Sequence, residues 1–209
     1  MLPLGLGLMR WRRLSPAARI IVWYFAFWSV EGFLDVWSRA VYNTNGWLFH
    51  LSVLVETWLL VWAYLQVLQA PRLRQVLRVA LLIFTAVAVA DATVLSGLRE
   101  ANPYARAVQV VIMLGCALCY FEQWLHELRA RNPWRDFMFT VSVGLTIYYA
   151  GSVMGYLLMK TGPPTRQFYH YVMGLVINTS FIVAMVLMTL ALWRDGRPQA
   201  EGSLRSKAA

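Results

Sequence analysis

Charge is what this sequence has least of. Of its 209 residues only 14% are Asp, Glu, Lys or Arg, while 59% are hydrophobic. That balance excludes an ordinary soluble domain, because a fold of this size has no interior large enough for so much apolar surface. The excess must face lipid. Cysteine is scarce as well. Cys116 and Cys119 stand alone as C-x-x-C inside an apolar run, so the spacing reads as two small side chains on one helix face, with no redox pair, zinc site or disulfide framework implied. Also missing are a His-x-x-x-His pair with an acid, a local nucleophile and base, an internal repeat, and a lysine deep in the final apolar run. Those gaps remove the usual signatures of zinc hydrolysis, covalent catalysis, repeat-built transport and retinal binding. Nor is Met1 to Met9, MLPLGLGLM, a signal peptide, since its basic residues Arg10, Arg12 and Arg13 follow the apolar run when they should precede it. It reads either as the end of a helix whose beginning is missing or as a segment lying along the membrane interface.

What the sequence does have is long apolar runs, each matching the roughly 20 residues a helix needs to cross a bilayer core of about 30 Å. Six full spans are expected, over 18–42, 47–68, 79–98, 105–125, 137–159 and 169–193. A short apolar and basic segment, 1–17, precedes them, and a polar tail, 194–209, follows. The fold class is therefore all-α, a polytopic transmembrane helix bundle. Its connections are the turn Asn43–Gly46, a basic loop over 69–78 broken by Pro71, a short link around Asn102 and Pro103, a charged loop over 126–136 and the Gly162-Pro163-Pro164 loop. The formal charge of +9 comes from basic residues that punctuate apolar runs, which is a topology signal at an anionic membrane surface and no nucleic-acid motif. Fourteen arginines and lysines fall on the side of the N-terminal segment, the 69–78 and 126–136 loops and the tail, against five on the other. Both termini are thus expected in the cytoplasm of a bacterial inner-membrane protein.

The run Trp47 to Leu68 organises the rest, because it carries His50 and, two to three turns in, Glu56. No Lys or Arg of that span reaches Glu56, so its partner must be another helix, water or a proton. The first span holds Glu31 and Asp35 four residues apart on one face. The third holds Asp91, and the fourth holds Gln109 near one end and Glu122 near the other. The fifth contains Tyr148, Tyr149 and Ser152, and in the last His170, Gly174 and Asn178 recur every four residues. With the alternating orientation all of these except Glu122 fall in the outer half or near the middle. That shared depth points to an outward-facing polar pocket formed by Glu31, Asp35, His50, Glu56, Asp91, Gln109, Tyr148, Tyr149, His170 and Asn178. The bland alternative is a set of interhelical hydrogen bonds that only hold the bundle together, at about 0.6 kcal/mol each. His50, His170 and Glu56 are metal-ligand candidates if they converge, no catalytic residue is assigned, and Gly151-x-x-x-Gly155 is a candidate for close helix packing.

With these residues in view, the chain resembles a set of small, mostly uncharacterised bacterial membrane proteins predicted to have seven transmembrane helices. The resemblance rests on the spacing of His50 and Glu56, on Tyr148-Tyr149-x-Gly151, and on His170 with Asn178. In that set an acid usually stands where this chain has Gln109, and a complete helix precedes the segment resembling Arg10 to Pro16, which fits Met1 to Met9 as a helix remnant. The resemblance implies a sensory or accessory membrane component. The leading expectation is a receptor-like or accessory subunit whose pocket binds a small ligand, a partner membrane protein or a signalling partner. A proton-coupled or cation-handling transporter comes second, and a membrane-embedded metal-dependent hydrolase third. No motif names a cofactor.

Overall fold

A computed structural model describes residues 2–98, 102–126, 132–161 and 166–195, with the side chains of 154–170 outside that description. Among the described residues there are seven α-helices and no strand. They are α1 (Leu2–Met9), α2 (Pro16–Tyr42), α3 (Gly46–Val67), α4 (Pro71–Ala90), α5 (Pro103–His126), α6 (Phe137–Thr161) and α7 (Arg166–Asp195). Among the described residues five stretches are long and apolar enough to cross a membrane: Pro16–Tyr42, Gly46–Val67, Pro71–Leu95, Pro103–His126 and Tyr171–Asp195. Phe137–Val153 of α6 adds a shorter apolar stretch. The protein is a helical bundle of the integral-membrane kind.

Local chemistry sets the helix ends. Ser15 caps α2 by accepting from the Ala18 amide at 3.3 Å, and Pro16 follows as the first helical residue, where its missing N–H costs nothing. Asn43 ends the same helix in the left-handed conformation, φ 53°, which asparagine tolerates better than most side chains. The expected loop over 69–78 is largely helix. Pro71, read from sequence as a breaker, is the first residue of α4, and Leu77 and Leu81 turn inward behind it so that the neighbouring arginines line an outer face. At its far end α4 widens into a π-helical turn, Asp91–Leu95, closed by the Ser96 and Gly97 amides, which both donate to the Asp91 carbonyl.

The helix α3 is the central one. Over its apolar window 56% is buried, against 22% to 39% in the other four candidate spans, and it packs on α2, α4 and α5. Large side chains such as Leu82, Val111, Leu118 and Ile182 stand exposed on the outside of the bundle, as lipid-facing positions do. The pair α6 and α7 shares the most extensive contact of any two helices among the described residues. A Cβ added to Gly144 would sit 3.3 Å from the Ala184 backbone, and one added to Gly151 would fall 2.2 Å from the Ser180 hydroxyl. Small residues at such crossings let backbones approach where no hydrophobic force drives association. Gly155, paired with Gly151 in the sequence reading, lies outside the described residues.

Candidate functional site

Glu56, near the middle of α3, is completely buried. Its Oε1 accepts hydrogen bonds from the hydroxyls of Tyr24 on α2 (3.3 Å) and Tyr149 on α6 (3.2 Å). Its Oε2 accepts from Gln109 Nε2 (3.0 Å) and Arg106 Nη1 (3.4 Å), both on α5. Arg106 further donates through Nη1 to Gln109 Oε1 and through Nη2 to the Tyr148 hydroxyl, each at 2.9 Å, and its guanidinium lies 6.0 Å from the centre of the Tyr148 ring. One carboxylate thus collects four donors from three other helices. The pair is asymmetric in access, because the Arg106 side chain is 18% exposed and that of Glu56 is not exposed at all. Aromatic rings continue the cluster outward: Tyr149 to Tyr148 at 4.9 Å, Tyr148 to Phe181 at 5.5 Å, and Phe181 to Trp28 at 5.3 Å. The Trp28 indole N–H is buried there, makes no well-formed hydrogen bond, and leans on the Tyr24 hydroxyl.

No family model, curated protein or solved structure matches this chain.

The remaining polar residues are distributed around this centre. Glu31 accepts from Ser52 at 3.1 Å, which ties α2 to α3. Asp35 is held by Arg39 and by Asn45, the latter at 2.6 Å, and so secures the turn between those helices. The two acids, four residues apart on one face, each have their own partners. His50, expected to share a cavity with Glu56, instead meets the Gly97 carbonyl through Nε2 at 3.1 Å, and its Nδ1 is buried without a partner. Asp91 turns away from Glu56 as well. Its carboxylate accepts from the Ala105 amide (2.8 Å) and the Ser96 hydroxyl (2.7 Å), capping the N-terminus of α5. Asn178 is exposed on α7, Ser152 bonds back to the Tyr148 carbonyl, and His170 lies outside the described residues. Glu122 faces His126 across 3.8 Å at the exposed end of α5. Among the described residues no three His, Cys, Asp or Glu side chains gather as a metal set.

Of the ten residues expected to line a pocket, the structure gathers Glu56, Gln109, Tyr148 and Tyr149 into one hydrogen-bonded cluster. It adds two that sequence reasoning passed over. Arg106, one of the five basic residues on the side opposite the termini, sits in the first turn of α5 three residues before Gln109. That spacing puts both on one face, the signal that was available. Tyr24 carried no such signal, since a single tyrosine in an apolar helix is ordinary. Chemically, the cluster holds a charge pair in a low-dielectric setting, where hydrogen bonds are strong and an unmatched charge is expensive.

Proposed function

We propose that the protein is a receptor-like or accessory membrane subunit and that the Glu56–Arg106 cluster is its reception point for a small ligand bearing a carboxylate or a similar acceptor group. The observation that carries the reading is the buried carboxylate held by four donors from α2, α5 and α6. Helix adhesion does not require an ion pair there, because apolar packing of the same volume avoids the desolvation of two charges. Access favours the cationic side. Arg106 is the partly exposed member, and the adjoining ring cluster ends on the Trp28 N–H, a buried donor that meets the Tyr24 hydroxyl only weakly and gains from a better acceptor. A ligand acceptor that bonds these donors competes with Glu56 for Arg106, and loosening that bond changes the ties among α2, α3, α5 and α6 together. The resemblance read from the sequence, to small, mostly uncharacterised bacterial membrane proteins, implies a sensory or accessory component, the same class of role.

Thermal-shift measurements on purified protein in detergent, against a panel of short carboxylic acids, amino acids and their neutral amides, test the proposal. Carboxylates should raise the melting temperature of the wild type more than their amides do. The increment should shrink in Trp28→Phe, which keeps a ring but removes the N–H, and in Arg106→Lys, which keeps the charge but loses the fork geometry. Carboxylates that stabilise both variants as well as the wild type, or that stabilise none of the three, would refute this site.

A further inference from the structure

Where α1 meets the first turns of α2 the chain builds a second feature. The short helix α1 packs on α2 and α7, with Gly7 so close to Val22 that a Cβ there would fall 2.3 Å from a Val22 methyl. Between α1 and the following turn, Trp11–Arg13, opens a cleft of about 660 Å³ lined by Arg10, Trp11, Arg12 and Arg13 beside Leu6, Leu8 and Met9. Directly adjoining it is an apolar groove of about 330 Å³ between α1 and α2, lined by Leu4, Leu8, Trp11, Val22, Trp23 and Ala26. Trp11 and Leu8 belong to both. Trp11 stands edge-on to Trp23 at 6.1 Å, and the Arg19 guanidinium lies 5.9 Å from the Trp11 ring centre.

The charges in this corner are not balanced internally. Arg10 donates to the Trp193 carbonyl at 2.7 Å, and the nearby carboxylate of Asp195 is engaged by the Ser15 amide at 2.9 Å. Among the described residues neither Arg12 nor Arg13 has an acidic partner, and both are exposed. The Arg19 Nε–H is buried with no acceptor. A basic cleft whose Arg12 and Arg13 have no acidic partner among the described residues, sharing Leu8 and Trp11 with an apolar groove edged by two tryptophans, matches one chemistry: an anionic head on an acyl chain. We propose that α1, the turn after it and the first turns of α2 bind an anionic phospholipid. Its phosphodiester would sit among Arg10, Arg12 and Arg13, and one acyl chain would lie along Leu4, Leu8, Val22 and Ala26.

Native mass spectrometry of the full chain tests this, after exchange from nanodiscs of mixed phosphatidylglycerol and phosphatidylcholine of equal chain length. The wild type should retain phosphatidylglycerol over phosphatidylcholine. In Arg12→Ala/Arg13→Ala that preference should fall roughly thirtyfold, as expected for two interfacial arginines, while Arg12→Lys/Arg13→Lys should keep most of it. Both residues are exposed and bond no core group, so the variants should elute and melt as the wild type does, which separates lost binding from lost fold. Equal retention of the two lipids by the wild type would overturn the proposal, as would a preference unchanged in the double alanine variant. Inorganic phosphate added at the same concentration should not displace the lipid. Displacement would assign the cleft to free phosphate and overturn the lipid reading.

Discussion

Arg106→Met, read against Glu56→Gln and the double variant, probes the central cluster most directly. Arg106→Met deletes the cation but leaves a side chain of similar length, so Glu56 stays buried with two phenols and one amide as donors. Removing one member of a buried ion pair costs about 3–5 kcal/mol, because the other charge loses its compensation. Glu56→Gln is milder. Its carbonyl oxygen still accepts from Tyr24 and Tyr149, and the losses are the Arg106 bond, about 1.5–3 kcal/mol for a charge-assisted contact, and the Gln109 bond, about 0.6 kcal/mol. In the double variant neither charge is left stranded, so its cost should fall short of the sum of the singles by about 2 kcal/mol. At roughly 2–4 °C per kcal/mol for a chain of this size, Arg106→Met should melt about 6–20 °C below the wild type, and the double variant should recover part of that drop. Fluorescence-detected size exclusion after heating in detergent reads all four proteins. Singles that add within about 0.5 kcal/mol would show that Glu56 and Arg106 are not coupled, and would refute the cluster as a unit.

Three further outcomes follow from other parts of the molecule. Gly151→Leu should destabilise the bundle by about 1–3 kcal/mol, because its Cβ meets Ser180, whereas the same change at Gly115, which faces open space, should melt like the wild type. Asp91→Ala should cost about 1–2 kcal/mol through loss of the α5 cap, and Asp91→Asn should recover part of it, as the same melting assay reads. A reporter active only outside the cytoplasm, fused after Ala209, should give no signal if the arginine bias sets the orientation as proposed. A strong signal there would reverse it.

The helical class and most helix positions were legible because apolar runs of spanning length have few other fates, and the caps at Ser15-Pro16 and Asn43 are local chemistry. The start of α4 was not. A proline beside arginines reads equally well as a loop or as the first turn of a helix, and only the inward packing of Leu77 and Leu81 decides between them. The importance of Glu56 could be read from depth alone, but its partners could not, since they lie 32, 50, 53 and 93 residues away and depend on how helices rotate about their axes. Depth also grouped His50 and Asp91 with Glu56. Rotation sends them instead to the Gly97 carbonyl and the α5 N-terminus, a distinction of helix face that one sequence does not encode visibly.

Those same separations bear on how the protein is made. Chains are synthesised at about 5–20 residues per second, so Glu56 is made roughly 2.5–10 s before Arg106 and about 5–19 s before Tyr149. Through that interval the only donor of the finished cluster already synthesised is Tyr24, 32 residues earlier. Of the finished cluster, the α2–α3 pair by itself supplies only that phenol to the acid. The charge pair becomes possible only with α5, and the last donor, Tyr149, only with α6, so the buried acid of α3 waits on helices made well after it.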